Sequence, residues 1–170
     1  MASSFAPAGT TMGVSFQLDG GIFMTGFWLF VHLVGVIVWV GGMFFSLFCL
    51  SPAVADLQPQ QRAPLMVGVL GRFFRYVGIA IVLVWISGLA MLLPVGFKLA
   101  PFSWHLMMGI GTVMTLVFAL IVAVHFRQAQ AHVARADLPS AGLRLARVRA
   151  LVLVNLLLGL LTVAVVKLLV

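Results

Sequence analysis

The sequence predicts an all-α polytopic membrane protein, a bundle of four transmembrane helices, on three observations. Of its 170 residues 64% are hydrophobic and only 8% charged, with a mean hydropathy of +1.24. A soluble domain is about half apolar and about a quarter charged, so the polar side chains here are too few to cover a globule in water. The apolar residues form four continuous runs, each close to the ~20 residues that cross a bilayer as a helix. Finally, the basic residues segregate to two of the three connections between those runs.

The first span runs from about Ile22 to Leu50 and stops at Ser51-Pro52. The second runs from about Phe73 to Leu93, ending at Pro94-Val95-Gly96. The third covers about Phe102 to Phe126 and the fourth about Ala150 to Val170. Unpaired strands cannot cross lipid, and the runs do not alternate as a barrel's would, so all four are helices. Gln60 to Gly71 is helical in pattern and leads into the second span. Gln128 to Ala136 continues the third until Asp137-Leu138-Pro139-Ser140 breaks it, with Ser140 placed to cap helix four. Residues 1–20 hold no Lys or Arg and are rich in Ala, Ser, Gly and Thr. They lack the basic region of a cleavable signal and read as a disordered leader, with residues 21–170 as one four-helix domain.

Arg62, Arg72 and Arg75 lie between spans one and two, and Arg127, Arg135, Arg144, Arg147 and Arg149 between spans three and four. Only Lys98 and Lys167 fall on the other side. This bias puts the arginine loops in the cytoplasm and both termini outside, as expected of a bacterial inner-membrane protein. The net charge of +7 is thereby a matter of topology and lipid contact rather than nucleic-acid binding. The lone Cys49 allows no intrachain disulfide.

Inside a bilayer the informative residues are the polar ones. Span one carries Thr25, Trp28, His32, Gly35, Trp39, Gly42 and Ser46 at spacings of three and four. This face turns into the bundle and admits a close helix or a flat ligand. Span three offers the stripe His105, Met108, Thr112, Thr115, Ala119. Span two offers Tyr76 and Ser87 with Trp85 and Gly88 adjoining, and span four Asn155, Gly159 and Thr162. Asn155 and the threonines suit interhelical hydrogen bonding, and the methionines flexible packing.

His32 stands apart, near a span centre. His105 is about 9 Å nearer the outer surface by helical rise, a gap that tilt can narrow, while Met107 and Met108 lie closer to the depth of His32. Two such side chains facing one another across a four-helix bundle can hold a b-type haem, with His or Met as axial ligands. The same donors suit Cu(I). The candidate cofactor-binding set is therefore His32, His105, Met107, Met108, Gly35 and Trp39, with His32 and His105 the candidate metal ligands. The chain has no Glu, and Asp19, Asp56 and Asp137 all lie outside the spans, which argues against carboxylate-based proton coupling and acid–base hydrolysis.

The stretch from His32 through Gly35, Trp39, Gly41 and Gly42 to Phe44 resembles the first helix of the copper-resistance protein D family of membrane domains. Trp104-His105 with the helix ending Val124-His125-Phe126 is similar to that family's third helix, and Arg147 to Gly159 to its last. The resemblance covers roughly residues 25–168. That family is similar in turn to a four-helical membrane-bound protoporphyrinogen oxidase family, in which a first-helix His and a third-helix WxHxK-type segment are tied to haem and activity. The resemblance implies His32 in the first role and His105, approximately, in the second. The Lys has no counterpart, since Met107 stands near its place.

These readings converge on a membrane-embedded b-haem protein with a redox or electron-transfer role near the outer face. Its expected partners are the lipid bilayer, haem or a metal ion, and a quinone or other redox partner or a second copy of the chain. Whether that chemistry is enzymatic, as in a haem-dependent oxidoreductase, stays open. Copper transport or tolerance is the alternative reading, and a cofactor-free accessory subunit the third.

Overall fold

The structure, a computed structural model, describes the backbone of residues 10–168 and the side chains of residues 23–168. Four helical rods account for nearly all of it. α1, over residues 10–53, begins as an α-helix at Thr10–Val36 and is then interrupted by π-helical turns at Ile37–Gly41 and Ser46–Leu50. α2 is Pro59–Val95. α3 is Phe102–Ala134, with a π-helical stretch at Ile121–Phe126, and α4 is Leu138–Leu168. All four are long and apolar enough to cross a membrane, and no strand occurs among the described residues. The chain is thus the expected all-α four-helix membrane protein. Of the predicted leader, residues 1–9 lie outside the described residues, whereas the backbone of 10–20 already belongs to α1.

The helix ends follow local chemistry. Pro59, which has no N–H to lose, opens α2, and Gly96 closes it at φ +80°, a conformation that costs glycine nothing. The basic loops are helical extensions, as the sequence suggested for Gln60–Gly71 and for the continuation of the third span. The cap of α4 differs from expectation. Asp137, not Ser140, performs it: Oδ1 accepts the Ser140 backbone N–H at 3.2 Å, and Oδ2 lies 3.0 Å from His132 Nδ1. A carboxylate at this position satisfies an orphan N–H and meets the positive end of the helix dipole as well.

α1 packs along α2, α3 along α4, and α4 also touches α1 and α2. The core runs through the middle of the bundle, from Trp39 and Met43 past Val77 and Ile81 to Met114, Val152 and Leu156. Large apolar side chains such as Phe30, Ile37 and Leu116 face outward, as lipid contact requires. The predicted faces of α1 and α4 hold in large part: Gly35, Trp39 and Ser46 are buried, as are Asn155 and Gly159, while Trp28, His32, Gly42 and Thr162 are half-buried and Thr25 is exposed.

The predicted stripe of α3 does not. His105, Thr112 and Ala119 are exposed, and the buried positions are instead Ser103, Met114, Ile121 and Phe126. Thr112 needs no partner from another helix, because its hydroxyl donates to the Met108 carbonyl one turn back at 2.8 Å. Thr115 donates likewise to Gly111 but also accepts from Trp85 Nε1 of α2, the interhelical bond the sequence suggested. Tyr76, read as an interior residue, is 65% exposed.

Candidate functional site

His32 turns toward α2 and is half-buried there. Its Nδ1 lies 3.1 Å from the Val84 carbonyl oxygen and 3.1 Å from Ser87 Oγ. The approach is possible because α2 presents Gly88 to the ring: a Cβ on Gly88 would already be in contact with His32 Cε1, at 3.4 Å.

The bonds of Ser87 decide the tautomer. Ser87 is fully buried, and its hydroxyl donates to the Leu83 carbonyl at 2.6 Å, with the Val84 carbonyl at 3.2 Å. Its one proton is spent on the backbone of α2, so Nδ1 of His32 meets acceptors only. Nδ1 therefore carries the hydrogen of the neutral ring and donates it, leaving Nε2 with a bare lone pair. Among the described residues no hydrogen bond reaches Nε2. An imidazole oriented through Nδ1–H to a backbone carbonyl, with Nε2 free, is the usual state of a metal- or haem-ligating histidine. The same bonds also tie α1 to α2.

The other candidates do not gather around it. His105 sits exposed in the second turn of α3, where Nδ1 lies 3.2 Å from the Pro101 carbonyl and the ring 6.4 Å from that of Phe97. Met107 and Met108 are half-buried on α3. α3 packs along α4 and is tied to α2 by Trp85 and Thr115, and no hydrogen bond or ring contact among the described residues joins His105, Met107 or Met108 to His32. Gly35 admits a helix rather than a ligand, since the space beside it is filled by Val84 and Ala80 of α2. Trp39 is a core residue, 4% exposed, with its Nε1 sealed and unpartnered. No cluster of three or more His, Cys, Asp or Glu occurs among the described residues.

Sequence reasoning named Ser87 and Gly88 as interior but did not connect them to His32. The signal was the grouping of Val84, Ser87 and Gly88 at spacings of three and four, which puts them on one face of α2.

No protein-family model, curated protein or solved structure matches the chain.

Proposed function

We propose that this protein is a membrane-embedded b-type haem-binding protein with a redox or electron-transfer role, and that its chain contributes His32 as the axial ligand. The observation that carries the reading is the hydrogen-bond pattern at Val84 and Ser87, which leaves His32 Nε2 unprotonated and oriented. The residues fit one axial position. Among the described residues His105, Met107 and Met108 make no hydrogen bond or ring contact with His32, so the proposal rests on His32 alone. Haem bound there supplies one-electron chemistry, and the chain's part is to hold the imidazole neutral and fixed.

The arginine distribution supports a cytoplasmic location for both arginine-rich connections, with the termini outside, as in a bacterial inner membrane. His32 then lies in the outer half of the bilayer, where a lipid-soluble quinone is the class of electron partner within reach. Copper handling is the second reading, because a bare imidazole nitrogen also accepts Cu(I).

The test is an absorption spectrum of protein purified from haem-replete cells, with metal analysis alongside. A Soret band present in the wild type and absent in monodisperse His32→Ala supports haem. A colourless protein that retains copper through His32 moves the assignment to copper, and a Soret band that survives His32→Ala removes His32 from the proposal.

A further inference from the structure

A cavity of about 630 Å³ opens between α1, α2 and α4 at the arginine-bearing end of the bundle. It is independent of His32 and of the haem reading. The inner part of its wall is apolar, with Leu47, Met66, Leu70 and Val152, while Arg62 and Arg149 also line it. Among the described residues neither guanidinium has an ion pair or a hydrogen bond.

Two serines of α1, Ser46 and Ser51, line the same cavity. They are only 7% and 5% exposed, and neither hydroxyl has a hydrogen bond. That is unusual in this molecule. Ser87, Thr112, Thr115 and Thr162 each donate to the carbonyl one turn back. Ser46 instead opens the π-helical turn Ser46–Leu50, and Ser51 follows it. Their hydroxyls are not sealed off as those of buried orphan groups are. Both serines thus add polar groups to one wall of the cavity.

One helix N-terminus adds to it. Pro59 and Gln60, which open α2 with no side-chain cap, line the cavity, whereas the N-terminus of α4 beside Leu138 and Pro139 is already met by the Asp137 carboxylate. Neither Asp56 nor Asp137 is among the lining residues.

We propose that this cavity binds one anionic phospholipid of the surrounding bilayer. Its phosphate sits between Arg62 and Arg149 at the mouth, its ester oxygens accept from Ser51 and Ser46, and an acyl chain follows Leu47, Leu70 and Val152. The guanidinium groups and the N-terminus of α2 select the charged head, and the apolar wall selects a molecule with a tail.

The experiment is native mass spectrometry of the full chain, released from bilayer discs holding equal amounts of phosphatidylglycerol and phosphatidylcholine with the same acyl chains. One retained phosphatidylglycerol, enriched about tenfold over phosphatidylcholine, is expected. The paired substitution Arg62→Gln with Arg149→Gln should remove the enrichment, whereas Arg147→Gln, outside the cavity, should keep it. Gly142→Leu gives a second route. Gly142 lines the cavity, and a Cβ there meets nothing within 4 Å, so the larger side chain folds and fills the space. It should displace the lipid with every arginine intact. Equal retention of both lipids overturns the proposal, as does an enrichment that falls equally with Arg147→Gln. Displacement of the bound lipid by inorganic phosphate would show a site for the head alone and overturn the assignment to a phospholipid.

Discussion

Gly35 and Ala80 set the distance between α1 and α2: a Cβ built on Gly35 would lie 3.1 Å from the Ala80 carbonyl oxygen and 2.6 Å from Val84 Cγ2. The first neighbour is backbone and cannot swing away. The second belongs to the residue whose carbonyl receives His32 Nδ1, so packing and site geometry share one contact.

Gly35→Ala should therefore cost about 1–3 kcal/mol, the usual penalty for overfilling a packed interface, and Gly35→Leu should cost more. Gly41→Ala is the comparison, because a Cβ there meets nothing within 4 Å. It should be neutral or slightly stabilising, since alanine is the better helix former. Thermal loss of monodispersity in a mild detergent reads the difference. Equal tolerance at the two glycines would show that α1 and α2 are not held at this distance.

A second tie crosses the less tightly packed side of the bundle. Trp85 Nε1–H of α2 donates to Thr115 Oγ1 of α3 at 3.1 Å. Thr115→Val keeps the shape and removes the acceptor, leaving an indole N–H unpaired. A loss of about 0.6–2 kcal/mol is expected, the range for interhelical hydrogen bonds in membranes, and Thr115→Ser should restore most of it. Indole fluorescence of Trp85, in a background with the other tryptophans replaced, should shift in Thr115→Val and not in Thr115→Ser.

Thr112, exposed on the same helix, shows where the sequence stopped being legible. The four spans were readable because a run of apolar residues has few alternatives in lipid. The inner face of α1 was readable because glycines beside His32 and Trp39 serve little purpose on a lipid face. The same logic failed on α3, where a hydroxyl that bonds its own backbone can face either way. Met114 and Ile121, the true buried face, look like any lipid-facing residue. The cap of α4 went to Ser140 because both Ser and Asp are good caps and the turn at Ala136, at φ +56°, shifts the helix start. Of the site, His32 was legible by depth alone. Its partners on α2 were not, since their register against α1 is set by packing.

The turn between α3 and α4 should make the protein acid-sensitive. The Ser140 hydroxyl and backbone N–H, and then His132, hold the Asp137 carboxyl below its ordinary pKa. A carboxyl with a lowered folded-state pKa contributes stability that is fully present above its unfolded pKa and is lost as pH falls through the folded one. The contribution of this joint should thus be flat from neutral pH down to about pH 4 and decline below that. Asp137→Asn keeps a capping side chain but cannot titrate. Stability of the variant should match the wild type near neutrality, apart from the lost pairing with His132, and its acid limb should be shallower. Identical acid limbs would show that other groups carry the sensitivity.

The geometry around His32 separates ligand, positioning residue and bystander in one set of spectra. His32→Ala should abolish any Soret band; His105 also turns Nδ1 toward a backbone carbonyl, but it lies exposed near the start of α3 rather than near a span centre. Ser87→Ala removes one of the two acceptors at Nδ1 and leaves the Val84 carbonyl, so the ring keeps its tautomer but loses part of its orientation. Haem should still bind, with affinity lower by about tenfold or more, as for other residues that orient a ligating histidine, and with a shifted midpoint potential. A structural tie alone would lower thermal stability without moving that potential, so the two readouts distinguish a positioning role from a packing one. His105→Ala, Met107→Ala and Met108→Ala should each leave the band unchanged. The sequence spacing offers all three as the second axial ligand, whereas no hydrogen bond or ring contact among the described residues joins any of them to His32. A His105→Ala protein whose spectrum changes to a high-spin, five-coordinate form while still a monomer would make His105 the second ligand.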